Sequence, residues 1–352
     1  MTTVCVLFGG ASSEHEVSLR SAASVLRNIN KSRYDIITIG ITKSGRWLRY
    51  LGVADDIESG AWEAGDVRPA IISPDRGHKG IIELTASGAK TIPVDVIFPV
   101  LHGKNGEDGT IQGLAATAGI PCVGCGVLAS AVCMDKAVSH VLLVAAGVPK
   151  TTLVALTCPE TLDFEVLEKR LANELGYPMF VKPANAGSSV GVSKAKDAVQ
   201  LRDAFSLAFN HDRKIVIEQC LYGREIECAV MGNENPVASD VIGEVAPENE
   251  FYDYSGKYLD GSTQLYIPAR ITDADVVQKV RELSIKAYKA LGCAGLSRID
   301  FFVSDSGEIT LNEVNTLPVF TSISMYSKLF VESGVAYSEL IDRLIAYALD
   351  AV

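Results

Sequence analysis

The chain has 352 residues, 48% hydrophobic and 21% charged, with a net charge of -11 at pH 7. That length suits two or three domains with packed cores, and the composition excludes a largely disordered chain. The acidic balance argues against a general nucleic-acid surface, which needs a basic stripe. No apolar stretch approaches the ~20 residues of a membrane span, so neither nucleic acid nor membrane is expected as a partner. The N-terminus lacks a basic segment, and its apolar run is too short for a signal peptide. Eight scattered cysteines fit free thiols in a reducing compartment. A cytoplasmic protein is expected. Cys122-Val-Gly-Cys125 has C-x-x-C spacing, but no second pair or nearby His completes a zinc set, so these read as structural.

The elements alternate at first. Thr3–Phe8 reads as a buried strand ending at Gly9-Gly10, and Ser13 to Glu16 has capping-box spacing, opening a helix through about Ile29. The dinucleotide fingerprint G-x-G-x-x-G is absent there, which excludes a nicotinamide site. Tyr34–Ile41 and Val94–Val100 read as strands and Thr110–Ala118 as a helix. Strands leading through Gly-rich turns into helices predict a parallel sheet with ligands at the strand C-termini. His102, in the turn His102-Gly-Lys-Asn-Gly-Glu-Asp-Gly109, is either a ligand-orienting group or a turn histidine.

A second unit begins near Cys125. Ala129–Ala146 reads as one helix, Met179–Pro183 as a strand, Leu201–Asn210 as a helix and Lys214–Gln219 as a strand. The loop Asn185-Ala-Gly-Ser188-Ser189-Val-Gly191 can wrap an anion with N–H and O–H groups, and Lys182 adds a point charge for phosphate. It is not a P-loop, and alone it reads equally well as a flexible turn. The third unit has strands around Glu225–Met231, a helix over 275–291, a hairpin and a closing helix Tyr337–Leu349. The loop 244–270 is long for a connection, and its tip, Phe251 to Tyr258, is aromatic, which fits a water-excluding lid. The class is α/β to α+β in three units, 1–124, 125–221 and 222–352.

The hairpin carries the most specific signal. Ser297–Val303 and Glu308–Asn315 read as strands joined by Asp305-Ser-Gly307. An even-length turn sets Asp305 opposite Glu308, Asp300 opposite Glu313 and Arg298 opposite Asn315, with Ile299, Phe301, Val303 and Val314 facing a core. An odd-length loop would shift this register. Facing carboxylates repel, and two acids with an amide oxygen suit a hard cation such as Mg²⁺. The alternative is a solvated strand face with an ion pair to Arg298.

These motifs together resemble the D-alanine–D-alanine ligases of the ATP-grasp superfamily. The resemblance rests on Phe8-Gly-Gly-Ala-Ser-Ser-Glu-His-Glu-Val-Ser18, Leu101-His-Gly-Lys-Asn-Gly-Glu-Asp-Gly-Thr110, Met134-Asp-Lys136 and Val181-Lys-Pro183 with Gly187-Ser-Ser-Val-Gly191. It also rests on Phe251-Tyr-Asp-Tyr254 with Lys257-Tyr258, and on Arg298-Ile-Asp300 with Asn312-Glu-Val-Asn315. It implies an ATP-grasp fold with an N-terminal parallel α/β domain, and ligation of two D-alanines through an acyl phosphate. ATP and two Mg²⁺ (or Mn²⁺), the metals held by Asp300, Glu313 and Asn315, follow from it, as does a homodimer.

By the same resemblance Lys136, Lys182, Ser188 and Ser189 hold phosphates, while Glu218, Leu221 and Glu225 meet adenine and ribose. Glu14, Ser188 and Tyr258 form a triad at the first D-alanine, and Arg298 stabilises the oxyanion. His102, Lys257, Val319, Ser324 and Met325 line the substrate side. Three residues depart from the family pattern: Gln219 for Lys, Val319 for Gly and Ser327 for Pro. A β-branched Val319 resists any positive φ needed there. Met325 offers an apolar wall suited to a methyl group, favouring D-alanine as second substrate. A D-alanine–D-serine ligase and a nucleotide-binding relative with lapsed catalysis are the alternatives.

Overall fold

The structure, a computed structural model, describes residues 1–157, 163–187, 189–246 and 264–351. Its first sheet comprises β1 (Thr2–Gly9), β2 (Tyr34–Ile41), β3 (Trp47–Tyr50), β4 (Val67–Ile72), β5 (Gly80–Thr85), β6 (Gly88–Pro93) and β7 (Val96–Pro99). The spatial order is β6-β5-β4-β3-β2-β1-β7. Only β1 with β2 and β1 with β7 pair in parallel, and the other pairings are antiparallel. The expected parallel sheet is therefore the core of a mixed one. Its antiparallel extension went unread because β6 is almost wholly exposed and carries no apolar alternation.

Helix α1 (His15–Asn28) packs on β1, while α2 (Ala54–Ser59) packs on α1. Trp62 plugs the space beside them, its ring 4.9 Å from Phe8 in an edge-to-face arrangement. Gly40 is required there: a Cβ would lie 2.3 Å from the Trp62 ring. The capping box over Ser13 to Glu16 does not form. Instead Ser12 Oγ accepts from the Glu14 N–H at 3.0 Å, Glu14 is the N-cap residue without a side-chain cap bond, and its carboxylate turns toward the site. Helix α3 (Thr110–Ala118) matches its predicted bounds.

The expected helix over 129–146 is two, α4 (Val127–Met134) and α5 (Lys136–Ala145), bent by 103°. Asp135 makes the break. Its side chain accepts from Ala137 N–H and Val138 N–H, both at 3.1 Å, capping α5 and setting Lys136 as its first residue. Among the described residues no single helix is long and apolar enough to cross a membrane.

The second sheet has the order β10-β9-β11-β8, from β8 (Leu153–Thr157), β9 (Met179–Pro183), β10 (Ser193–Ala195) and β11 (Lys214–Gln219). Helices α6 (Phe164–Glu174) and α7 (Ala198–Phe209) cover it around Leu171, Leu201 and Phe205. The third sheet runs β15-β14-β12-β16-β17, with β13 (Val237–Ala238) paired to β12 (Arg224–Gly232). Its other strands are β14 (Gly243–Ala246), β15 (Gln264–Tyr266), β16 (Gly295–Val303) and β17 (Ile309–Asn315). Helices α8 (Ala274–Ala290), α9 (Met325–Glu332) and α10 (Tyr337–Asp350) pack on it. The ends of the expected lid loop are strands: β14 and β15 pair antiparallel, Glu244 opposite Tyr266. The tip, with Phe251, Tyr254, Lys257 and Tyr258, lies outside the described residues, as does Ser188.

The hairpin is correct at its far end and different at its turn. Arg298 pairs with Asn315 and Asp300 with Glu313, as expected, but Phe301 pairs with Leu311 and Val303 with Ile309. The Ser304 N–H donates to the Glu308 carbonyl at 2.9 Å, so Glu308 faces Ser304 rather than Asp305. The turn is odd, built on Gly307 at φ 82°. A bulge at Asn312 restores the register. Ile299, Phe301, Val303 and Val314 are all buried in one core with Ile309 and Leu311; each such side chain contributes about 1.5–3 kcal/mol.

Candidate active site

Two adjoining cavities open where the three sheets meet. One, of about 340 Å³, is lined by Glu14, His102, Glu107, Arg298, Asn315, Val319, Ser324 and Met325 among others. The second, of about 600 Å³, is lined by Phe180, Lys182, Ser189, Glu218, Leu221 and Arg270 among others. Lys136, Ala186, Gly187, Glu225, Val245 and Glu313 line both, so a ligand in one is within reach of a ligand in the other. The expected site residues that are described, Asp300 excepted, all stand on one of these walls.

Glu14 is buried at the start of α1. A Cβ on Gly103, which sits at φ 69°, would lie 2.3 Å from Glu14 Oε2, and one on Gly187 would lie 3.4 Å away. Two glycines from different parts of the chain thus make room for one carboxylate. His102 is buried and held at both ends. Its Nδ1 lies 3.1 Å from the Leu317 carbonyl and its Nε2 3.1 Å from Ser21 Oγ. A carbonyl only accepts, so Nδ1 carries a proton and donates it to Leu317. His102 thus ties its turn to the Leu317 backbone and to α1 at Ser21. Glu107 Oε1 lies 3.6 Å from His102 Nδ1, and burial lifts its carboxyl to about 6, His102 opposing.

Arg298 lies between two acids. Its Nε and Nη2 donate to Asp300 Oδ1 and Oδ2, each at 2.8 Å, and Nε is 3.1 Å from Glu227 Oε2. Burial disfavours the guanidinium charge, but Asp300 and Glu227 outweigh this and hold its pKa well above the usual value. Asn315 Nδ2 donates to Asp300 Oδ2 at 2.9 Å. Asp300 is therefore buried, with both oxygens accepting from Arg298 and one also from Asn315. Asp300 and Arg298 do form an ion pair, but a buried one and not on a solvated strand face, while Glu313 and Asn315 face the cavities. Among the described residues no group of three His, Cys, Asp or Glu side chains is placed to hold a metal ion. The candidate set remains two acids and an amide, a hard-oxygen donor set that fits Mg²⁺ in kind.

The phosphate side is cationic. Lys136 Nζ donates to the Ala186 carbonyl at 2.7 Å, bringing α5 to the glycine loop. Lys182 Nζ pairs with Glu218 at 2.6 Å. Burial works against the Lys182 charge, yet Glu218, Glu313 and Glu225 hold its pKa above the ordinary value. In the loop after β9, Ser189 adopts φ 59° and Gly191 φ 71°. On the substrate side Ser324 Oγ donates to the Thr321 carbonyl at 2.8 Å and accepts from the Thr321 N–H at 2.9 Å. Met325 is buried against Gly243, where a Cβ would lie 2.2 Å from its sulfur. Val319 is not among the described non-glycine residues with positive φ, which are Lys79, Asn105 and Ser189; the β-branched side chain is accommodated without strain.

Sequence reasoning missed Glu227, Glu107 and Lys150. The alternation Glu225-Ile-Glu227 on β12 was a usable signal, because it sets Glu227 directly opposite Asp300.

The family model for the N-terminus of D-ala D-ala ligase matches residues 3–125, and that for the C-terminus matches residues 142–346. The chain belongs to the D-alanine–D-alanine ligase family. The family member from Acetivibrio thermocellus is 49% identical over 361 residues, 98% of this chain and 95% of that one. The crystal structure of the VanG D-Ala:D-Ser ligase from Enterococcus faecalis matches with a TM-score of 0.90 at 42% identity, covering 99% of each chain. The Bacillus anthracis D-alanine–D-alanine ligase, solved complexed with ATP, matches with a TM-score of 0.73 at 29% identity, covering 100% of this chain and 98% of that one.

Proposed function

We propose that the protein joins two D-alanines to D-alanyl-D-alanine with ATP, as a cytoplasmic step in supplying peptidoglycan precursors. The observation that carries this is the pair of cavities sharing Lys136, Glu225 and Glu313, one walled by lysines and the other by Glu14 and Arg298. ATP occupies the larger, with Lys136, Lys182 and the Ser188–Ser189 loop at its phosphates, Glu218 and Leu221 at the base and Glu225 at the ribose. Mg²⁺ (or Mn²⁺), held by Glu313, Asn315 and Asp300, supplies charge neutralisation between the phosphates when bound.

Glu14 receives the ammonium of the first D-alanine, and the carboxylate oxygen of that D-alanine attacks the γ-phosphorus, releasing ADP and leaving a D-alanyl phosphate. The unprotonated amine of the second D-alanine attacks the acyl carbon; a C–N bond forms, the C–O bond breaks with its electron pair leaving on phosphate, and the nitrogen gives up a proton. Charge develops on the acyl oxygen in that step. The unengaged end of the Arg298 guanidinium and the Val319 N–H are the groups to meet it. Asp300 and Glu227 fix the guanidinium in advance, so little reorganisation is needed at the moment of reaction. Ser324 and Lys257 take the second carboxylate, Met325 walls the methyl group, and Tyr258 with Ser188 links the lid to Glu14. The three units, 1–124, 125–221 and 222–352, meet at this cleft, and the protein works as a homodimer.

The similarity to a D-Ala:D-Ser ligase favours a second reading, with D-serine as the incoming amine. Product mass with D-alanine alone, and with D-serine added, separates them. D-alanyl-D-alanine from D-alanine alone supports the first reading. Dipeptide formed only with D-serine selects the second, and ATP binding without turnover defeats both.

A further inference from the structure

Glu313 reaches the cavities because β17 carries one extra residue. Beside the turn Val303 pairs with Ile309 and Phe301 with Leu311; beyond it Asp300 pairs with Glu313, and Asn312 is left over. Side chains alternate along a strand. Without the bulge, the buried face of β17 would continue from Ile309 and Leu311 to Glu313, setting the carboxylate among Ile299 and Phe301.

A bulged residue drops out of the ladder, and its backbone groups need other partners. The Asn312 carbonyl accepts from Lys150 Nζ at 2.5 Å. The Leu311 N–H donates to the Pro149 carbonyl at 2.9 Å, and Lys150 forms an isolated parallel bridge with Leu311. The segment between α5 and β8 thus covers the outer edge of β17 at the point where its register changes. Lys150 and Asn312 are 162 residues apart in sequence, so this contact joins the two halves of the cleft.

Lys150 lines neither cavity. Burial disfavours its ammonium and brings its pKa to about 8, Glu218 and Glu313 attracting it while Lys182 and Lys136 repel it.

We propose that Lys150 is a positioning residue: by holding the Asn312 carbonyl it secures the bulge that turns Glu313 out of the core to face the nucleotide cleft opposite Asp300. This rests on the reading of that cleft as a metal–ATP site.

The test is Mn²⁺ binding to the full-length protein with a non-hydrolysable ATP analogue, followed by the paramagnetic resonance signal of free Mn²⁺. Lys150→Met should weaken Mn²⁺ binding by about tenfold or more, the usual scale for groups behind a metal ligand. The KM for D-alanine should stay close to wild type. Lys150→Arg, which can still reach the carbonyl, should recover most of the affinity. Wild-type Mn²⁺ affinity in Lys150→Met overturns the proposal, and so do equal losses in Mn²⁺, nucleotide and D-alanine affinity. If Lys150→Met does not fold, Lys150→Gln, whose amide falls short of the carbonyl, should show the same loss; unchanged affinity there overturns the proposal. Failure of the wild type to take up Mn²⁺ with the analogue would overturn the reading of the cleft itself, and this inference with it.

Discussion

Arg298 and Asp300, two residues apart on β16, form a two-pronged pair at 2.8 Å and 2.8 Å. Residues at that spacing share a strand face, so the acid orients the base from its own strand, with Glu227 of β12 as the second acid. Arg298→Ala should lower turnover by about 10²–10³, the scale for removing one oxyanion donor, while ATP still binds. It also strands Asp300 and Glu227, and breaking such buried pairs costs roughly 3–5 kcal/mol. Arg298→Lys keeps the charge but loses the fork. Single-turnover rates, ATP titration and a urea melt on both variants separate the catalytic loss from the structural one; unchanged turnover in Arg298→Ala would contradict its assigned role.

Glu107 gives a stability signature in pH. Its folded pKa is raised to about 6 from an ordinary 4.5, burial being the main cause. A carboxyl raised in the folded state favours folding while protonated, below about 4.5, and loses that contribution as pH rises through about 6. Glu107→Gln stays neutral throughout. It should be more stable than wild type above about pH 6 by about 2 kcal/mol, the gap closing toward about pH 4.5. Urea melts of both proteins across that window check the sign; a gap that widens on acidification counts against it.

Asp135 stands at the 103° break between α4 and α5, where it caps α5 and pairs with Lys214 Nζ at 2.7 Å. Asp135→Ala should cost about 1–2 kcal/mol from the lost cap and raise the KM for ATP, because Lys136 is the first residue of the capped helix. Asp135→Asn, which can still cap, should cost less. Equal losses in the two variants would assign the effect to Lys214 rather than to the cap.

Val319 replaces a glycine common in the family, yet its backbone needs no positive φ. Val319→Gly should therefore bring no rise in turnover. It should lower stability by about 0.5–1 kcal/mol, because glycine frees the unfolded chain. Steady-state rates and a thermal melt test this, and a faster variant would show that the side chain crowds the site.

Periodicity carried part of the fold. Tyr34–Ile41, Thr110–Ala118, Met179–Pro183 and Lys214–Gln219 have their predicted bounds because apolar alternation or helical spacing ends there at clear breakers. The break at Asp135 was hidden inside an apolar run whose period fits one helix, and only the cap geometry decides it. The Asp300–Glu313 pairing was reached through an even-length turn, whereas an odd turn and a bulge produce it. Such cancellation cannot be read from alternation, since Ile309, Leu311 and Val314 are all core residues on opposite parities. Lys150 carried no motif, and its partner is a backbone carbonyl. Glu313 and Arg298 were legible because cross-strand pairing places chemistry at fixed intervals.

The surplus Asn312 also constrains how this hairpin can change over generations. Residues can be gained or lost in the turn beyond Ser304 and Glu308 while Val303 still meets Ile309, but losing one residue between Leu311 and Glu313 would bury the carboxylate. Among descendants of a common ancestor the turn should therefore vary in length while that stretch of strand does not.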